Sequence, residues 1–245
     1  MAISSADSPV LLEDVGYRIN DMPVLAGVSV RSEAMRIGVI GRNGSGKSTL
    51  ARLIAGLLEP SEGQIRIEGV DVYKDRRAAI RTVGILFQNP EHQIIFPTVG
   101  EEIGFGLRQL GASKADAVTG TQKVLAQFGK AHWQDAPIHA LSQGQKHLVC
   151  MMSVLAMRPR LLVLDEPFAG LDIPTRMQLT RHLNDAGTRL LHITHDTRDL
   201  EEYDQVFWLD RGHLRASGVA RQVLQDFTQE MVRIGGGDDL SLLAG

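Results

Sequence analysis

The chain has 245 residues, 43% hydrophobic and 22% charged, with 26 Lys and Arg against 29 Asp and Glu for a formal charge of -3. That content suits one large α/β domain or a core with an inserted subdomain, and the balance excludes an overall basic field for nucleic acid, so any anion binding is local. No run approaches the ~18 apolar residues that cross a bilayer, and Met1 to Pro9 lacks a basic segment followed by an apolar core, so a soluble, cytoplasmic chain is expected.

In chain order, Val10 to Ile19 and Val24 to Val30 read as strands of a hairpin around the turn Asn20 to Pro23. Tyr17, just ahead of the turn, reads either as a core or edge aromatic or as a flat surface on which a base stacks. The apolar run Met35 to Ile40 then leads into Gly41-Arg-Asn-Gly-Ser-Gly-Lys-Ser-Thr49, and Leu50, Leu53, Ile54 and Leu57 follow at helical spacing. Strand, glycine loop and helix in that order form a phosphate cradle. Gly41, Gly44 and Gly46 let successive N–H groups approach one anion, and the helix start adds positive potential. Lys47 supplies a full charge, and the Ser48 hydroxyl is placed to ligate a magnesium ion.

Beyond the turn Glu59 to Gly63, residues Gln64 to Glu68 alternate like an exposed strand, and Val83 to Phe87 form an apolar strand ending at Gln88. Ligands of open α/β sheets bind at that end of the strands, so Gln88 reads either as reaching a metal or an attacking water or as a solvated loop residue. From Asn89 to about Arg158 helical patterns broken by Pro90, Pro97, Gly111 and Pro137 suggest an inserted helical subdomain. There Ser142 is placed as an N-cap and Gly144 leaves the helix start open to a second anion, though a plain capped helix fits as well. The single cysteine, Cys150, sits among apolar neighbours and reads as a buried helix position rather than a disulfide or reactive thiol. Leu161 to Leu164 reads as a buried parallel strand that delivers Asp165 towards a metal and Glu166 towards water, though two surface acids after a strand fit the residues as well.

Glycine loop, Gln88, Leu141-Ser-Gln-Gly-Gln145, Leu161 to Glu166, Ala169-Gly-Leu-Asp172 and His195 together resemble the ATP-binding cassette (ABC) ATPases over about Val10 to Thr228. The resemblance implies a P-loop (RecA-like) α/β nucleotide-binding core with an antiparallel β subdomain and an inserted helical subdomain. Residues 1–88 and 159–232 would form the core, 89–158 the helical subdomain and 233–245 a short tail. It also implies ATP and Mg2+ as cofactors. It implies that Tyr17 stacks on adenine, that Gly41, Asn43, Gly44, Ser45, Gly46, Lys47, Ser48 and Thr49 form the Walker A loop, and that Ser48, Gln88 and Asp165 attend the metal. Glu166 would be the general base, with Gln88 sensing metal and water and His195, after the strand Leu190 to Thr194, contacting the γ-phosphate. Ser142 and Gly144 would close the site of a second ATPase subunit in a head-to-tail homodimer, with Asp172 at the interface. Two departures stand out: Gln143, where a second glycine is commoner, and Lys146-His147, where Gln-Arg is.

The stretch Gln88 to Gly106 is similar to the ATPases of energy-coupling-factor (ECF) importers for vitamins and for cobalt or nickel, and the tail is similar to that of stand-alone biotin importer ATPases. That resemblance implies a transmembrane coupling subunit and a substrate-binding membrane subunit as partners, and a peripheral place on the cytoplasmic face of the cell membrane. Asn89 to Phe105 would be the docking surface, with Ile94, Ile95 and Phe96 partly exposed and Glu91, Glu101 and Glu102 offering charge. A soluble ABC machine or the ATPase of another importer class is the alternative; the long heptad coiled coil or tandem cassettes of such machines are not seen.

Overall fold

The computed structural model describes residues 8–236. The segments 1–7 and 237–245, which hold most of the stretch Met1 to Pro9 and of the expected tail, lie outside the described residues. Two sheets share the work. Strands β1 (Val10–Ile19), β2 (Met22–Ser32), β4 (Glu62–Ile67) and β5 (Val70–Asp71) form an antiparallel sheet in the order β2-β1-β4-β5. Strands β3 (Arg36–Ile40), β6 (Val83–Leu86), β7 (Leu161–Asp165), β8 (Arg189–Thr194), β9 (Gln205–Asp210) and β10 (His213–Val219) form a sheet in the order β10-β9-β3-β8-β7-β6. Every neighbouring pair in it is parallel except β9 with β10.

Parallel strands covered on both faces should be apolar throughout, and β7 is buried at every position. Its two faces serve different cores. Leu161 and Val163 join the cluster beneath the antiparallel sheet and helix α1 (Lys47–Ile54), whereas Leu162 and Leu164 join the cluster of the helical segment, as the period of two requires. Strand β4 is half-buried rather than exposed, because Ile65 and Ile67 turn into the first core.

The helical segment consists of α3 (Val99–Gln109), α4 (Lys114–Gln127) and α5 (Gln143–Ala156). Thr98, Ser113 and Ser142 cap their first turns by accepting a backbone N–H three residues on. Cys150 is buried within α5, where burial pushes its thiol up to about 12. Helix α2 (Arg76–Thr82) precedes β6, α6 (Ile173–Asp185) links β7 to β8, and α7 (Ala220–Gly235) covers Ile40, Val206 and Trp208.

The register of the parallel strands places the site. Ile40 pairs with Thr194, Ile193 with Asp165, and Leu86 with Leu164, so four strands end along one edge. The loops after them carry the glycine cradle, Gln88, Glu166 and His195.

Candidate active site

The loop after β3 is shaped by its glycines. A Cβ on Gly41 would come within 2.3 Å of the Leu209 carbonyl oxygen and 2.6 Å of Ser45 Oγ, so the loop passes too close over β9 for any side chain. Gly44 and Gly46 have φ of 78° and 96°, the left-handed region that favours glycine. Helix α1 starts from Gly46 with no side-chain cap, whereas α2 to α6 are capped by Asp75, Thr98, Ser113, Ser142 and Asp172. Its first-turn N–H groups are therefore available to an anion.

Lys47 is buried within this cradle, its amine donating to the carbonyls of Gly41 at 2.8 Å and Arg42 at 2.9 Å. Burial draws its pKa down, and the nearby carboxylates of Glu166 and Asp165 oppose that shift. Ser45 Oγ is buried without a hydrogen-bond partner, while Asn43 is exposed on the rim and Thr49 is half-buried in the first turn.

Across from the cradle, Ser48 Oγ donates to Asp165 Oδ1 at 3.1 Å. Burial pushes the Asp165 carboxyl up, and the Ser48 hydrogen bond holds it down. Glu166 follows with φ of 49°, an uncommon conformation for a non-glycine residue. Its N–H donates to Ile193 at 2.9 Å, and its Oε1 accepts from His195 Nδ1 at 2.9 Å. The His195 side chain is 65% exposed and that of Glu166 14%, so the pair lies at the mouth of the site.

Gln88 is exposed in the bend after β6. Tyr17 is half-buried on β1 and pairs with Leu25, whose side chain abuts Gly46; a Cβ there would meet Leu25 Cδ2 at 2.6 Å. One face of the antiparallel sheet thus adjoins the cradle.

Gly144 and Asp172 meet at Thr175, with Ser142 two residues ahead of Gly144 at the start of α5. A Cβ on Gly144 would stand 3.2 Å from Thr175 Cγ2, and Asp172 Oδ1 accepts from the Thr175 N–H at 2.9 Å; the Thr175 side-chain hydroxyl first, and that N–H second, hold the Asp172 carboxyl below its usual range. Ser142 and Gln145 exchange hydrogen bonds in a capping box, and Gln143 projects exposed beside them. Among the described residues no direct hydrogen bond joins Ser142, Gly144 or Asp172 to Lys47, Ser48, Asp165, Glu166 or His195. The neighbouring Lys146-His147 has a local role: Lys146 pairs with Glu91, and His147 is fully buried beside the backbone of Phe87, Gln88 and Gln143.

Two features differ from the reading of the sequence or were missed by it. Glu102 is buried and accepts the N–H groups of Ile95 and Phe96, each at 2.9 Å, so it pins that loop and offers no charge to a partner. Thr194, Asp199 and Arg176, which back Glu166, carried no signal beyond a lone hydroxyl at the end of an apolar strand.

The arrangement suits a nucleoside triphosphate: a cradle of N–H groups, a buried ammonium, a hydroxyl beside a carboxylate, and a carboxylate oriented by histidine. The family model described as ABC transporter matches residues 28–169. The chain belongs to the ABC transporter family. It binds ATP and hydrolyses it, as the ATP-binding proteins of that family do.

Among relatives, the chain is 45% identical over 208 residues to the biotin transport ATP-binding protein BioM of Rhodobacter capsulatus, covering 85% of this chain and 89% of that one. It is 36% identical over 231 residues to the energy-coupling factor transporter ATP-binding protein EcfA of Methanothermobacter thermautotrophicus, covering 91% and 74%. Among solved structures, cbiO1 from Clostridium perfringens, described as part of the ABC transporter complex cbiONQ, superposes with a TM-score of 0.75 at 29% identity, over 93% of this chain and 94% of that one. No helix among the described residues is long and apolar enough to cross a membrane.

Proposed function

We propose that this ABC ATPase works as a head-to-tail homodimer that powers ECF-type import of a vitamin, biotin in the first instance, through separate membrane subunits. The observation that carries the reading is the convergence of Lys47, Ser48, Asp165, Glu166 and His195 at one sheet edge, while Ser142, Gly144 and Asp172 gather elsewhere. A site split in this way is completed by a second copy. The biotin assignment is supported by the similarity to BioM, and the ECF class by the similarity to EcfA and to cbiO1. Import of cobalt or nickel is the second reading, supported by the resemblance of Gln88 to Gly106 to the ATPases of importers for those metals.

In this mechanism the α1 N–H groups and Lys47 bind the phosphates, and Tyr17 stacks on the base. Ser48 and Asp165 fit a magnesium ion, because their oxygens already converge and a hard cation of this kind takes few protein ligands beside substrate phosphates; Gln88, in the bend after β6, would attend it. When bound, that ion neutralises charge on the transferring phosphate. Glu166 orients the attacking water and takes its proton, while His195 fixes the carboxylate from the solvent side. Residues 89–158 move as a helical subdomain against a core of 1–88 and 159–232, with Gln88 at the junction. The protein is held at the cytoplasmic face of the membrane by its partners.

The test is co-expression with candidate membrane subunits and uptake of labelled biotin into vesicles loaded with ATP. Uptake that stops with Lys47→Ala supports the reading. ATPase activity without association with any biotin-binding membrane subunit contradicts it.

A further inference from the structure

The Glu166 carboxylate has a second support besides His195. Thr194 Oγ1 lies 3.4 Å from Glu166 Oε2 and 3.2 Å from Asp199 Oδ2, and it accepts the Asp196 N–H at 3.1 Å. A threonine hydroxyl carries a single hydrogen. Two carboxylates therefore contest one proton, and whichever holds its own cation less firmly takes the larger share. The Asp199 side chain is 7% exposed and pairs with Arg176. Burial pushes the Asp199 carboxyl up, and the Arg176 guanidinium is the largest opposing influence.

Arg176 is itself held. Its guanidinium lies 5.2 Å from the centre of the Phe168 ring, and the residue's backbone N–H donates to the Asp172 carbonyl at 3.0 Å, one turn back at the start of α6. A continuous path of contacts thus runs from the start of α6 through Arg176, Asp199 and Thr194 to Glu166. Nothing in the hydrolysis mechanism so far uses it.

We propose that Thr194 and the Asp199–Arg176 pair are positioning residues that set the orientation of the Glu166 carboxylate. With Arg176 matching the buried charge of Asp199, the Thr194 hydroxyl is free to be shared with Glu166. Without Arg176, Asp199 is a buried charge lacking its partner and draws the hydroxyl hydrogen to itself. Glu166 Oε2 then loses its donor, and a side chain on a left-handed backbone position is left held by His195 alone. Because Arg176 rides on α6 directly after Asp172, a shift of that helix reaches the carboxylate through the same hydroxyl. This rests on the reading of Glu166 as the group that activates water.

The test uses the full chain and steady-state ATP hydrolysis, with nucleotide affinity and thermal unfolding measured alongside. Arg176→Gln and Thr194→Val should each lower kcat on the order of tenfold while KM stays within about twofold, since neither touches the phosphates. The double variant should be no slower than Thr194→Val, and Thr194→Ser, which keeps the hydroxyl, should return kcat to within about twofold of the parent. Effects that multiply in the double variant, a damaged Thr194→Ser, or an unaffected Arg176→Gln would each overturn the relay. If Thr194→Val does not fold, Asp199→Asn replaces it: with Asp199 neutral, adding Arg176→Gln should no longer lower kcat, and a further loss contradicts the proposal. Parental turnover in Glu166→Gln would instead remove the underlying reading of Glu166.

Discussion

Ser48 and Asp165, 117 positions apart in the chain, meet through a 3.1 Å hydrogen bond from Ser48 Oγ to Asp165 Oδ1. The bond joins the first turn of α1 to the end of β7 and gives a buried carboxylate one of its few donors. Removing the hydroxyl leaves Asp165 under-satisfied. Ser48→Ala should therefore destabilise the fold by about 1–3 kcal/mol and raise the magnesium concentration that half-saturates ATP hydrolysis. Chemical unfolding and a magnesium titration check both parts; an unchanged magnesium requirement would separate Ser48 from the metal.

Stability should fall in mild acid because of His192. The residue is fully buried on β8, with Nδ1 3.0 Å from Tyr203 Oη, and burial pulls its pKa from 6.5 to about 3. The folded protein keeps it neutral while the unfolded chain takes up a proton below 6.5, so its contribution is fully present above that pH. It is lost at about 1.4 kcal/mol per pH unit as pH falls from 6.5 towards 3. His147, also lowered by burial, acts in the same direction. Urea unfolding at several pH values should show the slope, and His192→Gln should flatten it. An equally steep slope in that variant would assign the loss to other groups.

Much of this molecule was legible in its sequence, for physical reasons that can be named. The glycine loop announced itself because left-handed φ at Gly44 and Gly46 and the close pass at Gly41 leave few alternatives to glycine. Leu161 to Asp165 read as a buried parallel strand because both of its faces are covered. The partial burial of β4 was less visible, since a short alternating strand looks the same whether its apolar face meets solvent or a second sheet. Glu102 misled because a carboxylate next to an exposed Glu101 carries no mark of the two backbone N–H groups it accepts. The Thr194, Asp199 and Arg176 path was hidden for a related reason: it joins α6 to the turn after β8, and only the fold brings those together.

The proposed docking surface is narrower than the sequence suggests. Ile94 packs into the helical core and Phe96 lies 5.0 Å from Phe105 between ring centres, whereas Ile95 is 69% exposed. A groove of about 490 Å³ beside it is lined by Phe96, Gly100, Glu101, Gly104 and Phe105 among others. Ile95→Ser combined with Glu101→Lys should leave basal ATP hydrolysis within about twofold of the parent and abolish co-purification with membrane subunits. Retained co-purification would place the docking surface elsewhere.

Sharing of the site between copies makes a distinct prediction. Ser142→Arg should fill the space in front of α5, and Lys47→Ala should empty the cradle, so each homodimer lacks any intact composite site. A mixture should recover one intact site per heterodimer, and hydrolysis with it. Heterodimers that form yet remain inactive would mean that Ser142 does not act across the interface or that both sites must fire together.

The central claim, an ATP-driven dimer in which Glu166 activates water, is tested most directly by light scattering of Glu166→Gln with ATP and magnesium. This variant should bind ATP, hydrolyse it very slowly and accumulate as a dimer, while Glu166→Gln combined with Lys47→Ala stays monomeric. A Glu166→Gln protein that turns over ATP at the parental rate, or that binds ATP and remains a monomer, would contradict it.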